Sequence, residues 1–128
     1  MRALIVDDSA VMRKVIERSL RQAGIDLTDV LQAGNGEEAL AALRADTPQR
    51  LDLILSDINM PIMDGIQFLQ QRQAEDLAKD VPVVMITTEG SRPLVLGAIA
   101  AGAKAYICKP FTADQIKERV LPLLRAIE

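Results

Sequence analysis

A doubly wound α/β domain is predicted, with five parallel strands in the order 2-1-3-4-5 and five covering helices, on three observations. Apolar runs bounded by turn signals alternate with stretches of helical spacing five times along the chain, the pattern of a parallel sheet covered on both sides. The third run, Leu51-Asp52-Leu53-Ile54-Leu55-Ser56-Asp57, carries aliphatics at 51, 53, 54 and 55, as suits a strand with helices on both faces. The runs also end unequally. Strand one ends in Asp7-Asp8, strand three in Asp57, strand four in Thr87-Thr88 and strand five in Lys109, whereas strand two ends in Ala33-Gly34-Asn35. All ends of a parallel sheet lie on one edge, with neighbouring strands about 4.8 Å apart. One shared site therefore needs strands 1, 3, 4 and 5 contiguous and strand 2 peripheral, which the order 2-1-3-4-5 provides, with a crevice between strands 1 and 3.

Strand one, Ala3–Val6, leads into a helix whose Met12, Val15, Ile16, Ser19, Leu20 and Ala23 recur at the spacing of one buried face. Arg13, Lys14, Glu17, Arg18 and Arg21 fall largely off that face, and Gly24 ends the helix. The mixed strand Leu27–Ala33 is followed by a helix from Gly36 to Ala45, with Pro48 marking the next loop. A Gln-rich third helix follows Asp64-Gly65. Strand four, Val81–Thr87, precedes a helix that starts near Ser91, accepts Pro93 in its first turn and stops before Gly102. Strand five, Ala105–Cys108, is followed by a helix starting at Thr112, which turns Ile116, Val120, Leu123, Leu124 and Ile127 inward. Pro122 inside that helix removes a hydrogen bond or kinks its last turn.

The 128 residues, 49% hydrophobic, suffice for one core, and no linker, repeat or low-complexity tail divides residues 1–128. No output domain is expected after Ile127. With 2% aromatics, that core is made of Leu, Ile, Val, Ala and Met. A net charge of -3 argues against nucleic acid as a partner. Only four apolar residues separate Arg2 from Asp7, so no signal peptide is expected, and no run is long enough to span a membrane. The single Cys108 has no internal disulfide partner, and the apolar run around it predicts a buried thiol in a reducing cytoplasm. Histidine is absent, which removes imidazole catalysis and His metal ligands from within the chain.

The chemistry collects at the strand ends. Asp57, where a buried strand meets solvent, is read as a nucleophile that accepts a phosphoryl group. Converging carboxylates repel unless a positive charge lies between them. An all-oxygen ligand set without His or Cys favours a hard divalent cation, Mg²⁺ first and Mn²⁺ as the other candidate. Asp8 and Asp57 are expected to bind it directly, and Asp7 directly or through water. Lys109 is expected to neutralise phosphoryl oxygens as a point charge, and the Thr87 hydroxyl to donate to another oxygen. Each residue alone has a plainer explanation, Asp7-Asp8 as a helix cap and Lys109 as a solvated side chain. Four independent placements at one sheet edge make coincidence a poor account.

The sequence resembles the receiver domain of bacterial response regulators, in particular the stand-alone CheY type. The resemblance covers essentially the whole chain. It rests on Asp7-Asp8-Ser9, Ser56-Asp57-Ile58-Asn59-Met60-Pro61, Asp64-Gly65, Thr87-Thr88, Ala101-Gly102-Ala103, Tyr106 and Lys109-Pro110-Phe111. It implies a flavodoxin-like (CheY-like) fold and a chemotaxis or phosphorelay role, with Asp57 taking its phosphoryl group from a phosphohistidine on a sensor histidine kinase or phosphotransfer protein. It further implies that Asn59 lends a backbone carbonyl to Mg²⁺ and that Lys109-Pro110 is cis. Tyr106 is the implied switch aromatic, following Thr87 inward on phosphorylation. Asn59 and Glu89, two residues beyond Asp57 and Thr87, are the implied tuners of hydrolysis, their polarity suiting a signal that decays. Self-phosphorylation from small donors and autodephosphorylation are the only implied catalysis.

The fourth helix reads Leu94-Val95-Leu96-Gly97-Ala98-Ile99-Ala100-Ala101, apolar nearly all round, although a helix on a sheet buries one face. A docking surface of helix four, strand five and helix five is therefore expected, including Arg92, Leu94, Leu96, Ile99 and Tyr106. Its partner is a downstream protein, such as a flagellar motor switch, and the unphosphorylated chain is expected to be a monomer without a membrane partner. The basic stripe Arg13, Lys14, Arg18 and Arg21 reads as a solvated face, with an acidic kinase or phosphotransfer domain as the alternative contact. Two rivals are weaker. Gly34-Asn35-Gly36-Glu37-Glu38-Ala39 fits G-x-G-x-x-A, but Glu37 and Glu38 occupy the helix N-terminus where a pyrophosphate would sit. A phosphohydrolase would want an aspartate where Asn59 stands and a cap insertion that is missing.

Overall fold

A computed structural model describes residues 1–45, 50–88 and 90–125. Five strands, β1 (Arg2–Val6), β2 (Asp29–Ala33), β3 (Leu53–Ser56), β4 (Val83–Thr87) and β5 (Ala105–Cys108), pair in parallel in the predicted order β2-β1-β3-β4-β5. Five helices alternate with them: α1 (Ala10–Gln22), α2 (Gly36–Arg44), α3 (Gly65–Ala74), α4 (Arg92–Ala100) and α5 (Ala113–Arg125). The central strands β3 and β4 are buried at every position, because strand alternation sends their side chains into cores on both faces. Ala3, Ile5, Leu53, Leu55, Val84 and Ile86 pack against Ile16 and Leu20 of α1 and Ile116, Val120 and Leu124 of α5. On the other face, Leu4, Val6, Ile54, Val83 and Met85 pack against α2, α3 and α4, with Phe68 and Leu69 fully buried.

Local chemistry starts the helices where the sequence places them. Ser9 accepts from the Met12 amide, Asp64 and Gln67 form a reciprocal capping box, and Thr112 and Gln115 cap α5 in the same reciprocal way. Gly24, at φ 88°, closes the first helix in a conformation that favours glycine. Helix α5 continues through Pro122 to Arg125. Pro48 and Ile127 lie outside the described residues.

Two expectations about burial are corrected. Val15 is 39% exposed, since the contact line of α1 runs through Ile16 and Leu20 and leaves Val15 on its flank. Cys108 is exposed, not buried. On this edge strand Ile107 takes the side facing the α1–α5 core, and alternation turns Cys108 the other way at the strand's end.

Candidate functional site

The predicted site residues stand at the ends of their strands, and one further backbone rung pins each of three of them. Asp7 N donates to Ala33 O at 3.0 Å, Asp57 N to Val6 O at 2.9 Å and Lys109 N to Thr87 O at 2.8 Å. The sheet ladder thus fixes the Cα positions independently of the side-chain contacts. Ligand oxygens of Asp7, Asp8 and Asp57 lie within 4.8 Å of one another. Lys109 Nζ donates to Asp7 Oδ2 at 2.7 Å and to Asp57 Oδ2 at 3.1 Å, with the lysine side chain only 10% exposed. The other Asp57 oxygen accepts from the Ile58 amide at 2.7 Å, and Asp7 Oδ1 from the Ser9 amide at 2.9 Å.

Burial by itself lowers the affinity of the Lys109 ammonium for its proton, but hydrogen bonds and charge from Asp7 and Asp57 outweigh it and raise the pKa above its ordinary value. One ammonium against three carboxylates still leaves the cluster electronegative. The donor set is hard oxygen throughout, which fits a divalent cation of the Mg²⁺ type. Both Asp7 oxygens are already engaged and Asp7 is buried, whereas Asp8 is exposed and the more accessible ligand.

Thr87, the last residue of β4, is fully buried beside this edge and pairs in register with Cys108. Tyr106 is half-buried in β5, opposite Met85, and packs against the α2–α3–α4 core. Asn59 is exposed in the loop after Asp57, and the Lys109-Pro110 bond is cis. On α4, Arg92, Leu96 and Ile99 are exposed and Leu94 is half-buried, so the helix does present an apolar outer face. Glu89 lies outside the described residues. Glu38 caps its own helix, its carboxylate accepting from the Gly34 amide at 2.9 Å, so the glycine turn holds a side chain where a pyrophosphate would bind.

Two features escaped sequence reasoning. Arg13, assigned to a solvated face, donates from Nη1 to the Asp7 backbone carbonyl at 2.6 Å and from Nε to Gln32 at 2.9 Å, tying α1 and β2 to the loop that carries the aspartates. Its position in the first turn after the Asp-Asp pair was the available signal. Gly65 lets the first turn of α3 close on the site: its amide donates to Ile58 O at 2.8 Å, and a Cβ there would run into the Asp57 carbonyl.

Comparisons with known proteins agree with this fold. The family model described as the response regulator receiver domain matches residues 3–121. Chemotaxis protein CheY1 of Helicobacter pylori is 39% identical over 120 residues, 94% of each chain. A chemotaxis protein CheY homolog of Campylobacter jejuni is 39% identical over 124 residues, 97% of this chain and 92% of that one. Among solved structures, the CheX-CheY-BeF3-Mg²⁺ complex from Borrelia burgdorferi superposes with a TM-score of 0.83 at 33% identity, covering 96% of this chain and 88% of the other. A strand-end aspartate cluster closed by a lysine, the five-stranded order and a match along nearly the whole chain converge, and the chain belongs to the response regulator receiver domain family, whose CheY-like members are signalling proteins.

Proposed function

We propose that Asp57 is the phosphoacceptor of a chemotaxis-type response regulator, and that residues 1–128 act as a single receiver unit in the cytoplasm. The observation that carries this reading is Lys109 Nζ held between Asp7 and Asp57 in a cluster of three carboxylates. A carboxylate oxygen of Asp57 forms a bond to phosphorus while the P–N bond of a phosphohistidine on a kinase or phosphotransfer protein breaks. The electron pair leaves on the imidazole nitrogen, which takes a proton from solvent. Lys109 meets the new charge on the phosphoryl oxygens, and the Thr87 hydroxyl donates to one of them. Mg²⁺, a family feature, would be held by Asp8, Asp57, the Asn59 carbonyl and Asp7 directly or through water, and would shield the carboxylates from the phosphoryl oxygens.

Movement of Thr87 draws Tyr106 inward and changes the face formed by α4, β5 and α5, where Arg92, Leu94, Leu96 and Ile99 meet a downstream protein. Water later attacks phosphorus, restoring the carboxylate and releasing inorganic phosphate, at a rate tuned by Asn59 and Glu89. The chain is a monomer until phosphorylated. The names of its relatives as chemotaxis proteins, and a neighbour solved with CheX, support a protein target.

Phosphotransfer profiling tests this. Radiolabel from a cognate kinase should reach the wild type with Mg²⁺, not with chelator, and not reach Asp57→Asn. Labelling of Asp57→Asn equal to the wild type sinks the assignment.

A further inference from the structure

Arg72, near the end of α3, is a cation without a carboxylate among the described residues. It is only 5% exposed, and no described acidic residue lies within ion-pair distance of it. After α3 the chain turns back over this side chain through Asp76 and Ala78, both at positive φ, and Arg72 Nη2 donates to Ala78 O at 2.7 Å and Val81 O at 2.8 Å. Those carbonyls solvate the group without neutralising it, and Nε has no hydrogen-bond partner among the described residues. Burial accordingly pushes the guanidinium pKa down. Charged side chains are seldom this buried unless paired, because an uncompensated charge in the interior is costly.

The missing charge has room beside it. A cavity of about 340 Å³ has Arg72, Gln73, Asp76, Lys79 and Lys104 in its lining, together with Gly102 and the apolar Leu77 and Val81. Gly102, at φ 109°, keeps its wall open, since a Cβ there would stand 2.9 Å from Gln73 Nε2. Neither lysine is in an ion pair among the described residues, so three cationic residues and one carboxylate line the cavity. The cavity lies at the starts of β4 and β5, on the sheet edge opposite Asp57.

We propose that this cavity is a binding site for a small phosphate dianion, free or as the monoester of a small metabolite. The excess of two positive charges matches a dianion: the two exposed lysines supply charge-assisted donors, the buried Arg72 adds its charge behind them, and the Gln73 amide adds a neutral donor. The volume is at the small end of ligand sites, enough for a phosphate with a short carbon body.

Backbone amide NMR of the full chain, with chelator present so that the Asp57 cluster carries no metal, tests the site. The probes are glycerol phosphate and inorganic phosphate, with sodium chloride at matched ionic strength as control. Saturable shifts at Lys79, Gly102 and Lys104 are expected. Affinity should fall about tenfold or more in the double variant Lys79→Gln/Lys104→Gln, whose phosphorylation at Asp57 should be unchanged. Tighter binding of glycerol phosphate assigns the ester, and equal binding assigns the free anion. Shifts that fail to saturate, that chloride reproduces, that survive undiminished in the double variant, or that centre on Asp7 and Asp57 overturn the proposal. Because the two lysines are exposed, the double variant avoids the folding defect that Arg72→Ala risks.

Discussion

Lys109 touches two carboxylates at once, so its charge has a measurable thermodynamic signature. Its folded pKa is raised above the ordinary 10.5, so its contribution to stability is fully present below pH 10.5 and is lost as pH rises through the folded value. Chemical denaturation across that alkaline range should show the wild type losing stability more steeply than Lys109→Met, and parallel curves would contradict the pairing. Ile62 makes a separate case in the loop after Asp57. It is 74% exposed with φ 70°, a left-handed conformation that costs a β-branched residue about 1–2 kcal/mol. Ile62→Asn should therefore raise the urea midpoint, by about 1 kcal/mol in stability, because Asn tolerates that region. Asp7, Asp57, Thr87 and Lys109 were legible beforehand because a strand end fixes where such residues lie. Arg13 was not, since helical periodicity marks it only as off the buried face and says nothing of a neighbouring loop carbonyl.

Two glycines in neighbouring helices should respond to alanine with opposite signs. In α4, a Cβ on Gly97 would meet nothing closer than Ile66 Cδ1 at 3.7 Å, an ordinary contact. Gly97→Ala should then recover the helix propensity that glycine forfeits, about 1 kcal/mol. In α3, a Cβ on Gly65 would meet the Asp57 backbone carbonyl and Met85 Cε, and the carbonyl belongs to a chain pinned by the sheet. Gly65→Ala should cost about 1–3 kcal/mol, as overpacking does, and slow phosphotransfer by displacing Asp57. Equal effects of both substitutions in equilibrium unfolding would mean that helix propensity alone governs these positions. The sequence made α4 legible because a helix apolar all round cannot hide every face on one sheet, and Leu96 and Ile99 are indeed exposed. The same reasoning failed for Cys108: an apolar run reports composition, while coverage of an edge strand depends on what packs over it.

At the scale of the molecule, the sheet order followed from one demand, that the chemically equipped strand ends be neighbours, and β2 with its uncharged end accordingly lies at the margin. The same convergence concentrates like charge, because Asp7, Asp8 and Asp57 are brought together by folding while one lysine answers them. The fold therefore adds a repulsion between Asp57 and the Asp7-Asp8 pair that the unfolded chain lacks, and a divalent cation bound to the folded cluster would relieve it. Stabilisation by a ligand that binds only the folded state reaches about 2.7 kcal/mol at a hundredfold excess over its Kd. The thermal midpoint of the wild type should rise with added Mg²⁺ and not with sodium chloride at matched ionic strength. Asp8→Asn removes the exposed ligand and one of the repelling charges together, so it should abolish the Mg²⁺ response while leaving the metal-free protein at least as stable as the wild type. A metal-free Asp8→Asn that melts below the wild type would show that Asp8 holds the loop rather than strains it, and the account of the cluster as a charge trap for a cation would fall.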